Sequence, residues 1–367
     1  MEAPITHLCY GGTSGSSRVA IDIAAGSQEP KRHAYVLYGV GPMREDYGRQ
    51  LDELGCAWRF IGKKPGLDLG AYSRTAGALL AMNGRAIVLH GSRSLPVALC
   101  LRRGSPAPVV AVQHGPASEF ADLGGRLRCG AFSELADATV TVSNDMAQLI
   151  EQSPLLRRCC KPIQVIPNGV DVAFWRREPR LIDPAGPVRL AMVATLSPYK
   201  DHATLLRALK LLRDQGIDAR LTLIGEGVLR GALAAQVREL GIGQAAEFVG
   251  DLTRQAVRQH LAQTDILVHI THSESFGMAV LEGMCAGLPV VASDVPGVRE
   301  LVTHGHTGLL APRADAGAVA ARIQSLVQEP ASALELARKG QQRAQADYSA
   351  AAMAQGYEQL VQRLANV

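Results

Sequence analysis

The stretch ILVHITHSESFGMAVLEGMCAGLPVVA, residues 266–292, contains a whole strand–loop–helix–strand unit. Ile266–Ile270 is a short apolar run, as expected of a strand buried on both faces. The polar segment that follows ends at Gly277, and the pattern predicts a helix over Met278–Cys285. Gly287 and Pro289 then stop the helix and return the chain to a strand at Pro289–Ala292. A strand followed by a crossover helix and a second strand is the building block of a parallel sheet.

The same rhythm runs through the chain on both sides of this stretch. Upstream, strands are expected at Ile5–Tyr10, Ala34–Tyr38, Ala86–His90, Val109–Gln113, Ala138–Val142 and Gln164–Ile166. Helical patterns intervene at Arg18–Ala25, Tyr72–Met82 and Asn144–Gln152. Four prolines and no apolar period mark residues 167–187 as a break. The rhythm resumes with strands at Val188–Ala194, Ala219–Ile224 and Ala246–Val249. The expected fold class is therefore α/β, with two Rossmann-like doubly wound domains. The expected division is an N-terminal domain over 1–170, a linker over 171–187 and a C-terminal domain over 188–349. The tail from Ala344 carries apolar spacing at Tyr357, Leu360, Val361 and Leu364, so a terminal helix over 350–367 is expected to pack on its own domain or back on the first.

With 367 residues, 47% of them hydrophobic and 20% charged, the chain suits two cores of ordinary size. A net charge of +4 is too small to point to nucleic acid. The excess sits in residues 1–170, where 18 basic side chains face 14 acidic ones; residues 171–367 carry 20 of each. That excess is either scattered solvated charge or a weak attraction to a phosphate-bearing acceptor or an anionic membrane. Seven dispersed cysteines without a C-x-x-C pair read as reduced thiols. The start Met1-Glu2-Ala3-Pro4 has no basic and apolar leader pattern, and no run approaches 18 apolar residues. The expectation is a cytoplasmic protein, with peripheral membrane contact through the N-terminal domain.

The loop after Ile266–Ile270 carries the chemistry. In an open α/β sheet, ligands bind at the carboxyl edge, where Glu274 and Ser275 are placed. Ser275 is suited to cap the helix, and Gly277 lets the backbone approach a ligand. The N–H groups around Phe276, Gly277 and Met278 suit a diphosphate at a helix N-terminus. Glu274 before the helix and Glu282 within it reach different parts of one elongated ligand, and carboxylates accept well from sugar hydroxyls. Gly12 and Gly15 follow the first strand without forming G-x-G-x-x-G or a P-loop, so they mark either a tight turn or a contact with a diphosphate or an acceptor. His269 and His272 have a metal-like spacing but straddle a strand end, where side chains alternate.

The string ESFGMAVLEGMCAGLPVVAS, residues 274–293, resembles the family-four retaining glycosyltransferases of the GT-B fold. The resemblance continues in Gly297–Val302, His306–Leu310, Leu223–Gly227 and Val165–Asp171. It implies two domains facing across a cleft, with Glu274 on the donor sugar and Glu282 on the nucleotide ribose. It also implies that Lys200, in LSPYKD, neutralises the diphosphate, and that His114 lies near the transferred sugar. His90, another strand-end histidine, is the weaker candidate. The family commonly has an arginine where this chain has Thr195, and a Pro-Ser pair where it has Ile270-Thr271. Thr195 is kept as a donor-binding position, with leaving-group stabilisation in question.

No Asp-x-Asp occurs, so diphosphate charge is expected to fall to Lys200, backbone amides and helix dipoles, with no metal and no cofactor. The expected partners are a nucleotide-sugar donor and a glycan or lipid-linked acceptor. The expected reaction is transfer of a hexose-type sugar with retention. A sugar-nucleotide epimerase on the same architecture, and a non-catalytic sugar-nucleotide-binding protein, are the alternatives.

Overall fold

The computed structural model describes residues 3–12, 15–101, 104–115, 117–120, 122–160 and 163–365. The chain divides into two compact units. The first runs to Asp171 and takes in the chain from Tyr348 onward; the second is Val172–Asp347.

The first unit is built on seven strands: β1 (Ile5–Tyr10), β2 (His33–Gly39), β3 (Ala57–Gly62), β4 (Ala86–His90), β5 (Val109–Gln113), β6 (Ala138–Thr141) and β7 (Ile163–Val165). Their order is β3-β2-β1-β4-β5-β6-β7, and every pairing is parallel. The second unit holds β8 (Val188–Val193), β9 (Ala219–Ile224), β10 (Ala246–Gly250), β11 (Ile266–His269), β12 (Val290–Ser293) and β13 (Leu309–Ala311). These follow the order β10-β9-β8-β11-β12-β13, again all parallel. Both sheets are Rossmann-like. Each reverses its winding beside its first strand, between β1 and β4 and between β8 and β11, and such switch points open a crevice at the carboxyl ends.

β3 and β13 escaped the sequence reading for physical reasons. β3 is an edge strand with side chains alternately exposed and half-buried, so it lacks an apolar run. β13 spans only three residues. The expected terminal helix is present as Ala350–Ala365 and packs on the first unit. Pro330–Asp347 ends at Tyr348, and a new helix, Ala350–Ala365, begins after Ser349. The join is pinned in the first unit by Val170, whose N–H donates to the Tyr348 carbonyl (3.1 Å) and whose carbonyl accepts from Ala350 N–H (2.8 Å). Helix Ala350–Ala365 lies against helix Gly15–Gly26, with the Ser27 hydroxyl donating to Glu358 (2.6 Å).

Of the expected linker 171–187, residues 172–187 carry structure of their own in the second unit. Val172–Trp175 forms a helical turn, Trp175 is buried, and Ile182 joins the second core. Arg180 and Arg189 both pair with the buried carboxylate of Asp265, each at 2.9 Å, tying this segment to the edge of β11. A charge so buried is tolerable only because two guanidinium groups meet it.

Candidate functional site

In the second unit, the loops leaving β8 and β11 flank the switch point and are sewn to each other. Lys200 and Thr271 form an antiparallel bridge. Asp201 N–H donates to the Ile270 carbonyl (3.0 Å), and His272 N–H donates to the Tyr199 carbonyl (2.8 Å). The fully buried Thr271 adds its hydroxyl to the Tyr199 carbonyl (2.8 Å) and its N–H to Ser293 Oγ (2.9 Å). The stitching uses the Ile270 carbonyl and the N–H and hydroxyl of Thr271, groups that the family's Pro-Ser pair would also offer. Asp201 caps helix His202–Asp214 by accepting from Thr204 N–H, and His202 Nδ1–H donates to the Lys200 carbonyl (2.9 Å). Burial takes the His202 imidazole down to about 4, so it stays neutral and holds that carbonyl.

This framework delivers the Lys200 ammonium directly onto Glu274 Oε2. The same oxygen accepts from His269 Nε2–H at 2.9 Å, while Oε1 accepts from Ser275 N–H at 3.2 Å. Lys200 and Glu274 are only 14% and 13% exposed, so the pair is largely stripped of water. Burial opposes the Glu274 charge, but the Lys200 ammonium and the His269 imidazole outweigh it and hold the carboxyl far below its usual range. Burial, reinforced by the Lys200 charge, lowers the His269 imidazole despite its bond to Glu274. The neutral ring carries its proton on Nε2, in keeping with a buried Nδ1 that has no hydrogen-bond partner. His269 was missed as a member of this site because its spacing to His272 drew attention to metal binding. The available signal was a polar residue inside an apolar strand. His272 stays apart and half-exposed, 3.6 Å from Asp201.

Beyond Glu274 the chain turns into helix Met278–Cys285. Phe276 is 1% exposed and anchors the turn, a burial worth about 2–3 kcal/mol. Gly277, not Ser275, occupies the helix cap, which corrects the sequence expectation. Its φ of 102° lies in the left-handed region that only glycine enters cheaply. No side chain caps the helix start, and the macrodipole favours negative charge there. Gly297 guards the other side. A Cβ there would lie 2.7–2.8 Å from the backbone of Glu274 and Ser275. Met278 opens the helix, and Glu282, its fifth residue, is half-buried.

Of the remaining expected residues, Thr195 is exposed in the loop that carries Lys200. Gly12, Gly15 and His114 belong to the first unit. Gly12 is half-buried after β1, and Gly15 opens helix Gly15–Gly26; Thr13 and Ser14 between them lie outside the described residues. His114 follows β5 and bonds His90 at 2.9 Å, with burial lowering its imidazole to about 4. Among the described residues, no three His, Cys, Asp or Glu side chains are grouped to hold a metal ion.

Residues 13–174 match the model for Glycosyltransferase Family 4, and residues 176–345 match Glycosyl transferases group 1. Glycogen synthase of Mycobacterium tuberculosis is 34% identical over 216 residues, 58% of this chain and 51% of that protein. The chain thus spans about half the length of that curated relative. N-acetyl-alpha-D-glucosaminyl L-malate synthase of Bacillus anthracis is 24% identical over 352 residues, covering 90% of this chain and 88% of that one. Among solved structures, Anabaena HepE in complex with UDP and glucose superposes with a TM-score of 0.82 at 20% identity, over 98% of this chain and all of that one. Sucrose-phosphate synthase from Thermosynechococcus elongatus gives 0.79 at 19% identity, covering 99% of each chain. With two family models meeting near Trp175 and the sheet order repeated in both units, the chain belongs to the family-four glycosyltransferases of the GT-B fold.

Proposed function

We propose that this protein moves a hexose-type sugar from a nucleotide diphosphate sugar to a glycan or lipid-linked saccharide, with retention and without a metal ion. The observation that carries the reading is the Lys200–Glu274–His269 cluster beside an uncapped helix start at a switch point. A diphosphate arriving at the helix start competes for the Lys200 ammonium. Glu274, released from Lys200, then accepts from a hydroxyl of the donor sugar, and Glu282 accepts from the ribose. Phe276, Gly277 and Met278 supply the backbone around the phosphates, with Ser275 and Thr195 beside them. In the first unit we assign Gly12 and Gly15 to the diphosphate and His114 to the transferred sugar.

The reaction is a front-face displacement. The acceptor oxygen bonds to the anomeric carbon while the bond from that carbon to the phosphate oxygen breaks. The acceptor's proton passes to a phosphate oxygen, and the products are a glycoside and a nucleoside diphosphate. The protein contributes alignment and stabilisation of the departing charge. UDP-glucose leads the donor candidates, supported by HepE structures in complex with UDP-glucose and with UDP and glucose. Among the described residues no helix is long and apolar enough to cross a membrane. We place the protein in the cytoplasm; a lipid-linked acceptor would bring the first unit to a membrane face, where the neighbouring Lys63, Lys64, Leu67 and Leu69 are exposed or half-exposed.

Thermal melting with UDP-, GDP-, ADP- and TDP-sugars, each with and without chelator, tests the reading. One donor is expected to raise the melting temperature, because binding only the folded state stabilises it by about 2.7 kcal/mol at a hundredfold excess over Kd. The shift should survive the chelator. No shift with any donor, or a shift lost to the chelator, would contradict it. A donor that binds but is never cleaved would favour the non-catalytic alternative that Thr195 motivates. Sugar interconversion without an acceptor would favour the epimerase.

A further inference from the structure

Four histidines cross the first sheet in a single hydrogen-bonded file. His33 Nδ1 lies 3.0 Å from His7 Nε2, His7 Nδ1 lies 3.1 Å from His90 Nε2, and His90 Nδ1 lies 2.9 Å from His114 Nε2. The file follows from strand register. His33 pairs with Ile5, two residues before His7; His7 pairs with Val88, two before His90; His90 pairs with Val112, two before His114. A step of two along parallel strands keeps each side chain on the same face. The rings therefore climb from the start of β2 to just beyond the carboxyl end of β5. Successive rings are stacked at 5.2–5.4 Å between centroids and tilted by 27–28°.

His7 and His33 are fully buried, and His90 is 6% exposed. Tyr35 stacks on His7 at 4.9 Å, and Tyr357 of helix Ala350–Ala365 covers His90. Burial holds the His7 and His90 imidazoles well below their ordinary value, so these rings are neutral. A neutral imidazole has one N–H and one lone pair. In a file joined through Nδ1 and Nε2, a donor at one end forces the same sense on every ring. A fault would set two N–H groups or two lone pairs face to face, without water to relieve either.

The end beside β2 decides the sense. Glu358 Oε1 stands 3.6 Å from His33 Nε2 and accepts the Ser27 hydroxyl at 2.6 Å. The His33 imidazole facing it, against burial and with help from Ser27, holds the Glu358 carboxyl below its ordinary value. At 3.6 Å the contact is electrostatic and not a hydrogen bond, and His33 Nε2 has no other partner among the described residues, so the negative charge facing it favours the proton there. His7, His90 and His114 must then each carry theirs on Nε2.

We propose that Glu358, acting through His33, His7 and His90, fixes the tautomer of His114 and leaves its Nδ1 as a hydrogen-bond acceptor. His33, His7, His90 and Glu358 are thus positioning residues for His114. The consequence rests on the function proposed above: a sugar hydroxyl of the donor donates a hydrogen bond to His114 Nδ1. The ring stays neutral there, so it does not repel the positive charge that grows on the sugar as the phosphate leaves. The bond selects donors that carry a hydroxyl at that point.

Nitrogen NMR of the full chain labelled at its histidine nitrogens reads the tautomers without any substrate. His7, His90 and His114 are expected as neutral Nε2–H forms near neutral pH, and His33 with a proton on Nε2. Any of the four found with a proton on Nδ1 would overturn the proposal. Glu358→Lys replaces an acceptor with a donor at a side chain 37% exposed, and should reverse all four rings to Nδ1–H. Glu358→Gln, able to donate or accept, should give both forms. Tautomers unmoved in both variants would likewise overturn the proposal. In a transfer assay, the folded Glu358→Lys variant should lose about tenfold in kcat/KM, the size of one misdirected hydrogen bond, with a melting temperature lowered only by the lost Ser27 contact. An inactive wild type would count against the proposed function while leaving the tautomer spectrum to decide the file.

Discussion

Lys200→Ala is expected to lower turnover by about a hundredfold to a thousandfold, the cost of removing one preorganised group from a developing negative charge. Lys200 is the cation that the two stitched loops hold beside the uncapped helix start, and Thr195 stands where the family commonly supplies a second. Its loss leaves Glu274 buried, which would ordinarily cost about 3–5 kcal/mol of stability. His269 limits that damage. After burial, the Lys200 charge is the main influence keeping its imidazole unprotonated, and the Glu274 carboxylate favours the proton. Without Lys200, His269 takes up a proton as pH falls and becomes the cation beside Glu274. The variant should therefore keep its fold and show residual turnover that rises as pH is lowered. Turnover profiles of both proteins across neutral and acidic pH check this. Unchanged turnover would mean that another cation meets the diphosphate.

Glu274→Gln is the second large effect. The substitution keeps the shape of the side chain but removes its charge. Lys200 then faces an amide in a nearly dry site, so the variant is expected to lose about 1–3 kcal/mol of stability. Transfer is expected to fall more than a hundredfold, because an amide accepts far more weakly than a carboxylate from a sugar hydroxyl whose carbon is gaining positive charge. Nucleotide diphosphate binding should be retained or tightened, since Lys200 no longer has a competing carboxylate. Calorimetric titration with the nucleoside diphosphate beside a transfer assay separates the two effects. Full transfer by this variant would remove Glu274 from the mechanism.

Most of the fold was legible because buried parallel strands read as uninterrupted apolar runs and the turns between them carry glycine and proline. The strands that escaped are those in which that logic is weakest, the edge strand β3 and the three-residue β13; helices Glu45–Glu53 and Leu123–Glu134 escaped as well. Lys200 and Glu274, which the structure pairs, were legible from one short segment and one motif-bearing loop 74 residues apart, and Gly277 from the same loop. His269 was not, because its partner choice depends on how two loops fold over a strand end. The histidine file was not legible either. Its members lie 26, 83 and 24 residues apart in sequence, and only the register of four strands brings them into line.

Lys200 and the start of helix Met278–Cys285 are expected to hold the diphosphate of a sugar donor. The most direct measurement is a crystal structure of the full chain with an intact nucleotide diphosphate sugar. The expected map places phosphate oxygens within about 2.7–2.9 Å of Lys200 Nζ and against the backbone at Met278, with Glu274 turned from Lys200 to a sugar hydroxyl. Phosphates bound elsewhere, with the Lys200–Glu274 pair still closed, would contradict it.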